Sequence, residues 1–269
     1  MTDAAPRPVP RRRRLALTLR AGTALVVAAA LGLGWLVSWT RGQRRAIASI
    51  EAAGGEVCFD YQKTPFGSYD RSRPIPGARW LRALVGDEPF RSVVYVSLCA
   101  RKTCDDAALA QVANFPRLEV LYLNGSAVTD AGLGVIRRLR HLERLDLGWT
   151  AVTDAGLANV EGLDSLGLLC LNHTNVTDAG LVHIAALRNL GHLVLSETSV
   201  GDEGMTYVAG LHALNTLDLE KTRVGKAGLQ KLCGLDELVH LDITGADQGW
   251  ADCLKAKRPE VQLNWITWR

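Results

Sequence analysis

Residues 142–157 read LERLDLGWTAVTDAGL, and near copies follow as LGLLCLNHTNVTDAGL from Leu166, LGHLVLSETSVGDEGM from Leu190 and LNTLDLEKTRVGKAGL from Leu214. Leu118, Leu142, Leu166, Leu190, Leu214 and Leu238 recur every 24 residues, so the copies align without a gap. A self-similar period of this length marks a solenoid, in which one copy forms one coil and no coil buries its apolar face alone.

Within a coil the apolar positions change their spacing midway. Leu121 and Leu123 flank Tyr122 with the period of two that a one-sided strand requires, whereas Leu133, Ile136 and Leu139 step by three. The second spacing fits a short helix or 3₁₀ turn whose inner face meets the strand. Stacked coils then join their strands into a parallel sheet and their leucines into one core. Asp130, Asp154 and Asp178 precede Ala-Gly-Leu and are expected to be N-caps, with Asp202 in the same role and Lys226 replacing it in the next coil. Thr150, Thr174, Thr198 and Thr222 recur just after each strand, where their hydroxyls are expected to bond the backbone of adjacent coils.

The pattern LxxLxLxxTxVTDAGL resembles the leucine-rich repeat family, in the variants related to cysteine-containing and F-box-type repeats that carry a V/I-T-D-x-G-L turn. It covers residues 118–245, and a degenerate coil precedes it at Val93, Val96 and Leu98, with one residue inserted before Cys104. The resemblance implies an α/β solenoid: a right-handed superhelix with a parallel sheet on the concave face and short helices or 3₁₀ turns on the convex face. Val261, Leu263 and Trp265 alternate like a closing strand, with Trp265 and Trp268 expected to cover the last coil.

Residues 1–45 are of another kind. Residues 21–39 carry no charge and are rich in Ala, Val and Leu, a length that suits a bilayer core of about 30 Å. One transmembrane helix is therefore expected ahead of the solenoid. A secretory signal peptide shares the basic flank, but the apolar run is long for one and Ser38-Trp39-Thr40-Arg41 is a poor cleavage site. Arg7, Arg11, Arg12, Arg13, Arg14 and Arg20 precede the span, against Arg41, Arg44 and Arg45 after it, so the N-terminus is expected in the cytoplasm and the repeats outside it. Residues 1–45 hold nine Arg and one acid, a net of +8 against +3 for the whole chain, which leaves −5 for the remainder. The basic balance thus belongs to the anchor and argues against a nucleic-acid partner. Arg137, Arg138, Arg140 and His141 read as a solvated outer face.

The expected division is a basic cytoplasmic tail over 1–20, a transmembrane helix over 21–40, a juxtamembrane helix, strand and N-terminal cap over 41–92, repeats over 93–245 and a C-terminal cap over 246–269. Ile47 and Ile50 suggest a helix before Gly54-Gly55, Val57 to Tyr61 a strand, and Phe59, Trp80 and Phe90 a cover for the first coil. This stretch resembles the leading segment of membrane-anchored bacterial leucine-rich-repeat proteins. Six cysteines permit fifteen pairings, of which sequence selects none. Cys104 stands where other coils place a core valine, and Cys170 on the solvent side of its strand. No metal or cofactor is expected, because no C-x-x-C pair or His cluster at ligand spacing occurs.

Function is expected on the concave sheet, where the positions between inward leucines vary while the leucines do not. The central column is Tyr122, Asp146, Cys170, Val194, Asp218 and Asp242, and beside it run Val120, Arg144, Leu168, His192, Thr216 and His240. A third column holds Asn124, Gly148, Asn172, Ser196, Glu220 and Thr244. Tyr122, Arg144, Asp146, Trp149, His192, Asp218, Glu220, His240 and Asp242 are the candidate partner-binding residues, and Tyr122, Arg144 and Trp149 are of the types common in hot spots. His240, Asp242 and Asp218 lie close together, yet no nucleophile with a base and an oxyanion donor assembles around them, so no enzyme is expected. The expected function is a membrane-tethered module that binds a protein or an envelope component. A passive envelope spacer is the alternative, and an F-box-type substrate receptor of a ubiquitin ligase is a further one that lacks any F-box helix before the repeats.

Overall fold

The structure, a computed structural model, describes residues 11–64, 68–85, 87, 91–99, 103–243 and 262–264. The chain divides into two compact units, Met1–Arg44 and Arg45–Arg269. A single helix, α1 (Arg11–Ala52), begins in the first and ends in the second. Its stretch 21–39 carries Trp35 and Trp39 stacked with ring centroids 6.2 Å apart. Side chains at 21–23, 25, 33, 36 and 37 lie outside the described residues. Among the described residues no helix is long and apolar enough to cross a membrane, so the transmembrane helix expected from the sequence finds no support in the fold.

The second unit is built on a nine-stranded sheet in chain order: β1 (Glu56–Phe59), β2 (Val93–Ser97), β3 (Val120–Tyr122), β4 (Arg144–Asp146), β5 (Leu168–Cys170), β6 (His192–Val194), β7 (Thr216–Asp218), β8 (His240–Asp242) and β9 (Gln262–Asn264). From β2 to β9 every pairing is parallel, and Val96, Leu121, Leu145, Leu169, Leu193, Leu217, Leu241 and Leu263 stand in register. The 24-residue period is thus the sheet register itself, and the degenerate coil takes its expected place as β2. Strand β9 closes the sheet where an alternating segment was expected, while Trp265 and Trp268 lie outside the described residues.

The return segments are short helical turns, such as the 3₁₀ turns Gly132–Arg138 and Gly180–Ile184 and the α-helical turn Asp154–Leu157. Leu133, Ile136 and Leu139 from the return side and Leu118, Leu121 and Leu123 from the strand side are all essentially inaccessible. Fully burying one such leucine contributes roughly 1.5–3 kcal/mol, and the same set is repeated coil after coil. Cys104 is buried among them, as its alignment with valine implied. The described cysteines, Cys58, Cys99, Cys104, Cys170 and Cys233, are free thiols.

The turn motif works differently from the expected N-cap. Thr153 caps its own helical turn by accepting from Ala155 N (3.2 Å), and Asp154 is the first residue inside that turn. Each aspartate instead reaches into the following coil. Asp130 accepts from Thr153 N (2.8 Å) and Thr153 Oγ1 (2.6 Å), and Asp154 does the same for Thr177 (2.7 and 2.6 Å). Asp106 holds Thr129 likewise, and Asp178 and Asp202 hold the backbone N of Gly201 and Gly225, where no hydroxyl is available. The glycine of the motif makes room for this carboxylate: a Cβ on Gly132, Gly156, Gly180, Gly204 or Gly228 would collide with Oδ1 of Asp106, Asp130, Asp154, Asp178 or Asp202. The threonines after the strands also depart from expectation. Thr150, Thr174, Thr198 and Thr222 donate to Leu147, Leu171, Leu195 and Leu219 O of their own coils at 2.6–2.8 Å, closing the bend locally instead of bridging coils.

At the N-terminal end the cover is not the expected aromatic trio. Trp80 is 71% exposed, and Phe90 lies outside the described residues. Ala46, Ile47 and Ile50 of α1 are buried in the core instead, and β1 pairs antiparallel to β2. An antiparallel strand reverses the chain, so β1 adds a protected edge rather than another coil. Phe59 packs partly against the core with the Arg91 guanidinium 4.4 Å above its ring.

Gly180→Ala is expected to destabilise the solenoid by about 1–3 kcal/mol through overpacking against the Asp154 carboxylate. Gly234→Ala, whose Cβ would meet nothing within 4 Å, should stay within about 0.5 kcal/mol of the parent. Urea midpoints of the two variants check this.

Candidate functional site

The solvent face of the sheet is built from the residues between the buried leucines, and its two ends differ. At β2 and β3 the face is covered. Lys63 and Tyr69 bridge to each other across a short antiparallel contact. Lys63 pairs with Glu119, and Tyr69 stacks on Tyr95 (5.0 Å), which meets Tyr122 edge to face (5.7 Å). Burial pushes the Tyr69 hydroxyl up to about 12, with the Glu119 carboxylate adding to it. Val120, placed by sequence in a solvent-facing column, is buried, because its strand lies at this covered end. Tyr122 is accordingly part of an aromatic stack within the fold.

From β4 onward the face is open. Arg144, His192 and His240 occupy one column and are exposed. Alongside them Asp146, Asp218 and Asp242 are half-buried in the central column, and Asp218 and Asp242 stand directly opposite each other. Asp146 Oδ1 accepts from Gly148 N and Asp218 Oδ1 from Glu220 N, each at 2.9 Å. Desolvation raises the Asp146 carboxyl above its ordinary range, against the Gly148 hydrogen bond, which lowers it. The Cys170 thiol, in the central column beside Asp146, is pushed up to about 12, first by burial and then by the Asp146 and Asp218 carboxylates. Such a thiol stays protonated at neutral pH and is a poor nucleophile. Among the described residues no group of three or more His, Cys, Asp or Glu side chains is arranged to hold a metal ion.

A further column runs along the edge where the chain leaves each strand. Trp149, His173, Glu197 and Lys221, spaced by 24 residues, all adopt left-handed backbone, with φ of 57°, 53°, 57° and 54°. Left-handed backbone costs a non-glycine residue about 1–2 kcal/mol. It is held by a regular hydrogen-bond series: Trp149 N to Asn172 O (2.8 Å), His173 N to Ser196 O (3.0 Å) and Glu197 N to Glu220 O (2.8 Å). Their side chains form a continuous ladder. The Trp149 and His173 rings stack with centroids 3.3 Å apart, His173 Nε2 lies 3.0 Å from Glu197 Oε2, and Glu197 Oε1 accepts from Lys221 Nζ at 2.8 Å. Lys221 also lies 3.6 Å from the Glu220 carboxylate. The hydrogen bond from Lys221 lowers the Glu197 carboxyl below its ordinary range, and the same bond raises Lys221.

Sequence reasoning selected Trp149 and Glu220 but missed His173, Glu197 and Lys221. Their shared coil position was visible as the residue before Thr174, Thr198 and Thr222. What the alignment did not carry is that this position turns side chains of neighbouring coils toward each other. Arg140, from the basic cluster, donates to Gly162 O of the next coil, so part of that cluster is tied to the scaffold.

A leucine-rich repeat family model matches residues 138–160. No curated protein matches the chain. Among solved structures, internalin C2 of Listeria monocytogenes is 20% identical, with a TM-score of 0.50 over 65% of this chain and 81% of that one. A second internalin of the same organism, InlF, is also 20% identical, with a TM-score of 0.49 over 69% of this chain and 60% of that one. The family model and the first structure agree with the coil geometry on a leucine-rich repeat solenoid, and at this identity the likeness concerns fold alone.

With its thiol held near 12, Cys170 is expected to react with iodoacetamide at pH 8 at least about a hundredfold more slowly in the folded chain than in urea. Site-resolved mass spectrometry of quenched time points measures both rates.

Proposed function

We propose that this chain is a binding module that recognises a protein partner through the sheet face from β4 to β8, with no catalytic step. The observation that carries the reading is the contrast between a repeated buried frame and the varied polar and charged side chains that stand upon it. Arg144, His192 and His240 project in one exposed column on alternate strands, with Leu168 and Thr216 between them, beside the column of Asp146, Asp218 and Asp242, and each strand step of the parallel sheet is about 4.8 Å. A partner that meets this face encounters polar and charged groups at positions fixed by the strands, the arrangement by which charged surfaces select partners and register. Trp149, 59% exposed at the edge, adds the large apolar contact area that anchors interfaces. Burial holds the Cys170 thiol on this face up to about 12, which keeps it protonated and a poor nucleophile at neutral pH.

The finer reading, a module tethered to a membrane with its coils outside the cytoplasm, rests on the sequence of the first 45 residues. The uncharged stretch 21–39 follows six arginines and precedes three, the asymmetry that orients a span with its N-terminus inside. An envelope component is the second class of ligand that such a location would present.

Capture on the full chain, compared with a triple variant carrying Arg144→Ala, Trp149→Ala and Asp218→Ala, tests the face. Partners are expected to be lost by at least about tenfold, since three interface truncations together exceed 1.4 kcal/mol. Unchanged capture would leave a passive spacer as the better description. Protease added outside intact cells is expected to degrade the repeats and spare the N-terminal tail, and protection of the repeats would overturn the proposed topology.

A further inference from the structure

The junctions between successive coils are not equally tied. Between β3 and β4 the Asp130 carboxylate holds both the N–H and the hydroxyl of Thr153, Arg140 donates to Gly162 O, and Ser165 Oγ donates to Arg140 O at 3.0 Å. Between β4 and β5 Asp154 holds Thr177 in the same two ways, Trp149 stacks on His173, Glu161 pairs with His183, and Asn189 Nδ2 donates to Asp164 O at 2.7 Å. Between β6 and β7 Asp202 Oδ1 accepts from Gly225 N (2.7 Å) and Gly228 N (2.9 Å), and Glu197 pairs with Lys221. Lys231 Nζ adds bonds to Asp202 O (2.7 Å) and Thr206 Oγ1 (2.8 Å) across that junction. The junction between β5 and β6 has much less. Among the described residues its side-chain ties are Asp178 Oδ1 to Gly201 N (2.7 Å) and the His173–Glu197 pair (3.0 Å).

Neither space nor backbone requires glycine at this weak point. A Cβ on Gly201 would meet Asp178 Oδ2 at 3.4 Å and Arg223 O at 3.7 Å, both ordinary van der Waals contacts. Its φ lies outside the left-handed region. Gly225, the equivalent residue one coil on, is extended (φ −107°, ψ −164°), much as Thr153 is (φ −119°, ψ −173°). A threonine at 201 would therefore fit, with its hydroxyl beside Asp178 Oδ2, which has no hydrogen-bond partner among the described residues. Backbone bonds between strands cross every junction alike, and Leu169 and Leu193 are buried on either side of this one. Leucine burial is non-directional, so it opposes separation of two coils more than their rotation. The two-pronged carboxylate bond, which sets that rotation elsewhere, is the part missing here.

We infer that the solenoid flexes at the Asp178–Gly201 junction, and that this hinge changes the angle between two halves of the open face. The first half carries Arg144, Asp146 and Trp149, and the second carries His192, Asp218, His240 and Asp242. Use of the bend in recognition rests on the reading of this face as a protein-binding surface, whereas the bend itself does not. Hinges take up their change at a few residues while the packed units on either side move as bodies. The coils of β3 to β5 form one such unit through the Asp130 and Asp154 locks, and those of β6 and β7 form the other through Asp202 and the two lysines. The His173–Glu197 pair spans the junction along the strand-exit edge and limits the bend, since Glu197 is itself anchored to Lys221.

The test is amide hydrogen exchange of the full chain in detergent micelles, resolved by residue with NMR and expressed as protection factors so that intrinsic rates cancel. Gly201 N and Ser199 N bond across this junction to Asp178 Oδ1 (2.7 Å) and Val176 O (3.2 Å). Thr177 N and Asn175 N bond across the preceding one to Asp154 Oδ1 (2.7 Å) and Val152 O (3.0 Å). Protection at Gly201 and Ser199 is expected to be at least about tenfold lower than at Thr177 and Asn175. Gly201→Thr supplies the missing hydroxyl and should raise Ser199 to the level of Asn175. Gly201→Ala restricts the unfolded chain without adding a hydroxyl, and should leave most of the deficit in place. Thr177→Val removes the hydroxyl from the neighbouring lock and should lower Asn175 by about tenfold, creating a second hinge in a chain whose Gly201 is untouched. Equal protection at the two junctions, Gly201→Ala matching Gly201→Thr, or Thr177→Val without effect each overturns the inference. All of these are read without a partner, so loss of capture in the triple variant together with equal protection at both junctions sinks the hinge and spares the proposed function.

Discussion

Asp106, Asp130 and Asp154 each accept the backbone N–H and the hydroxyl of a threonine one coil ahead, and the glycine two residues past the next aspartate leaves the space in which they do so. Charge-assisted hydrogen bonds of this kind are short and directional, so they set the spacing and rotation of successive coils together. The leucines supply the larger share of the free energy, but burial is non-directional and would tolerate a slipped coil. The carboxylate does not. Where Gly201 and Gly225 replace threonine, the backbone bond persists and the hydroxyl bond is gone, so one part of the lock is kept at each junction from Asp106 to Asp202.

Fixing the coils in this way turns the strand positions into columns. Arg144, His192 and His240 stand in one, Asp146, Asp218 and Asp242 in the next, and Trp149, His173, Glu197 and Lys221 in a third that the left-handed turns align. Side chains in a column meet at a distance the backbone imposes, which is why Trp149 stacks on His173 and Glu197 bridges His173 and Lys221. The N-terminal segment uses the same regularity in reverse. Tyr69 enters the column line above Tyr95 and Tyr122 and covers the first coils, so the open surface begins only at β4.

Much of the architecture was legible in single residues. The alternation of Leu121 and Leu123 and the three-residue steps of Leu133, Ile136 and Leu139 are direct consequences of strand and helical-turn geometry, and both segments formed where those spacings put them. Asp154 was misread as a cap because a carboxylate at a turn start satisfies its own helix in most proteins, and only the next coil reveals the stronger donors. Val120 and Trp80 were misplaced for a related reason. Their exposure depends on what Lys63 and Tyr69 and the buried Ala46, Ile47 and Ile50 of α1 cover, and neither contact follows from spacing within the repeat.

By itself, then, the sequence determined the coil length, the register of the parallel strands and the inward leucines, because all of these follow from periodicity along one chain. It also carries the arginine asymmetry around residues 21–39, which the fold does not address. Only the tertiary structure decided that the aspartates lock neighbouring coils, that β1 runs antiparallel, that Tyr69 closes one end of the face, and that Trp149 is stacked on His173. Each of these depends on contacts between residues more than 20 positions apart whose side-chain directions are set by coil stacking, a quantity that exists only once the coils have met.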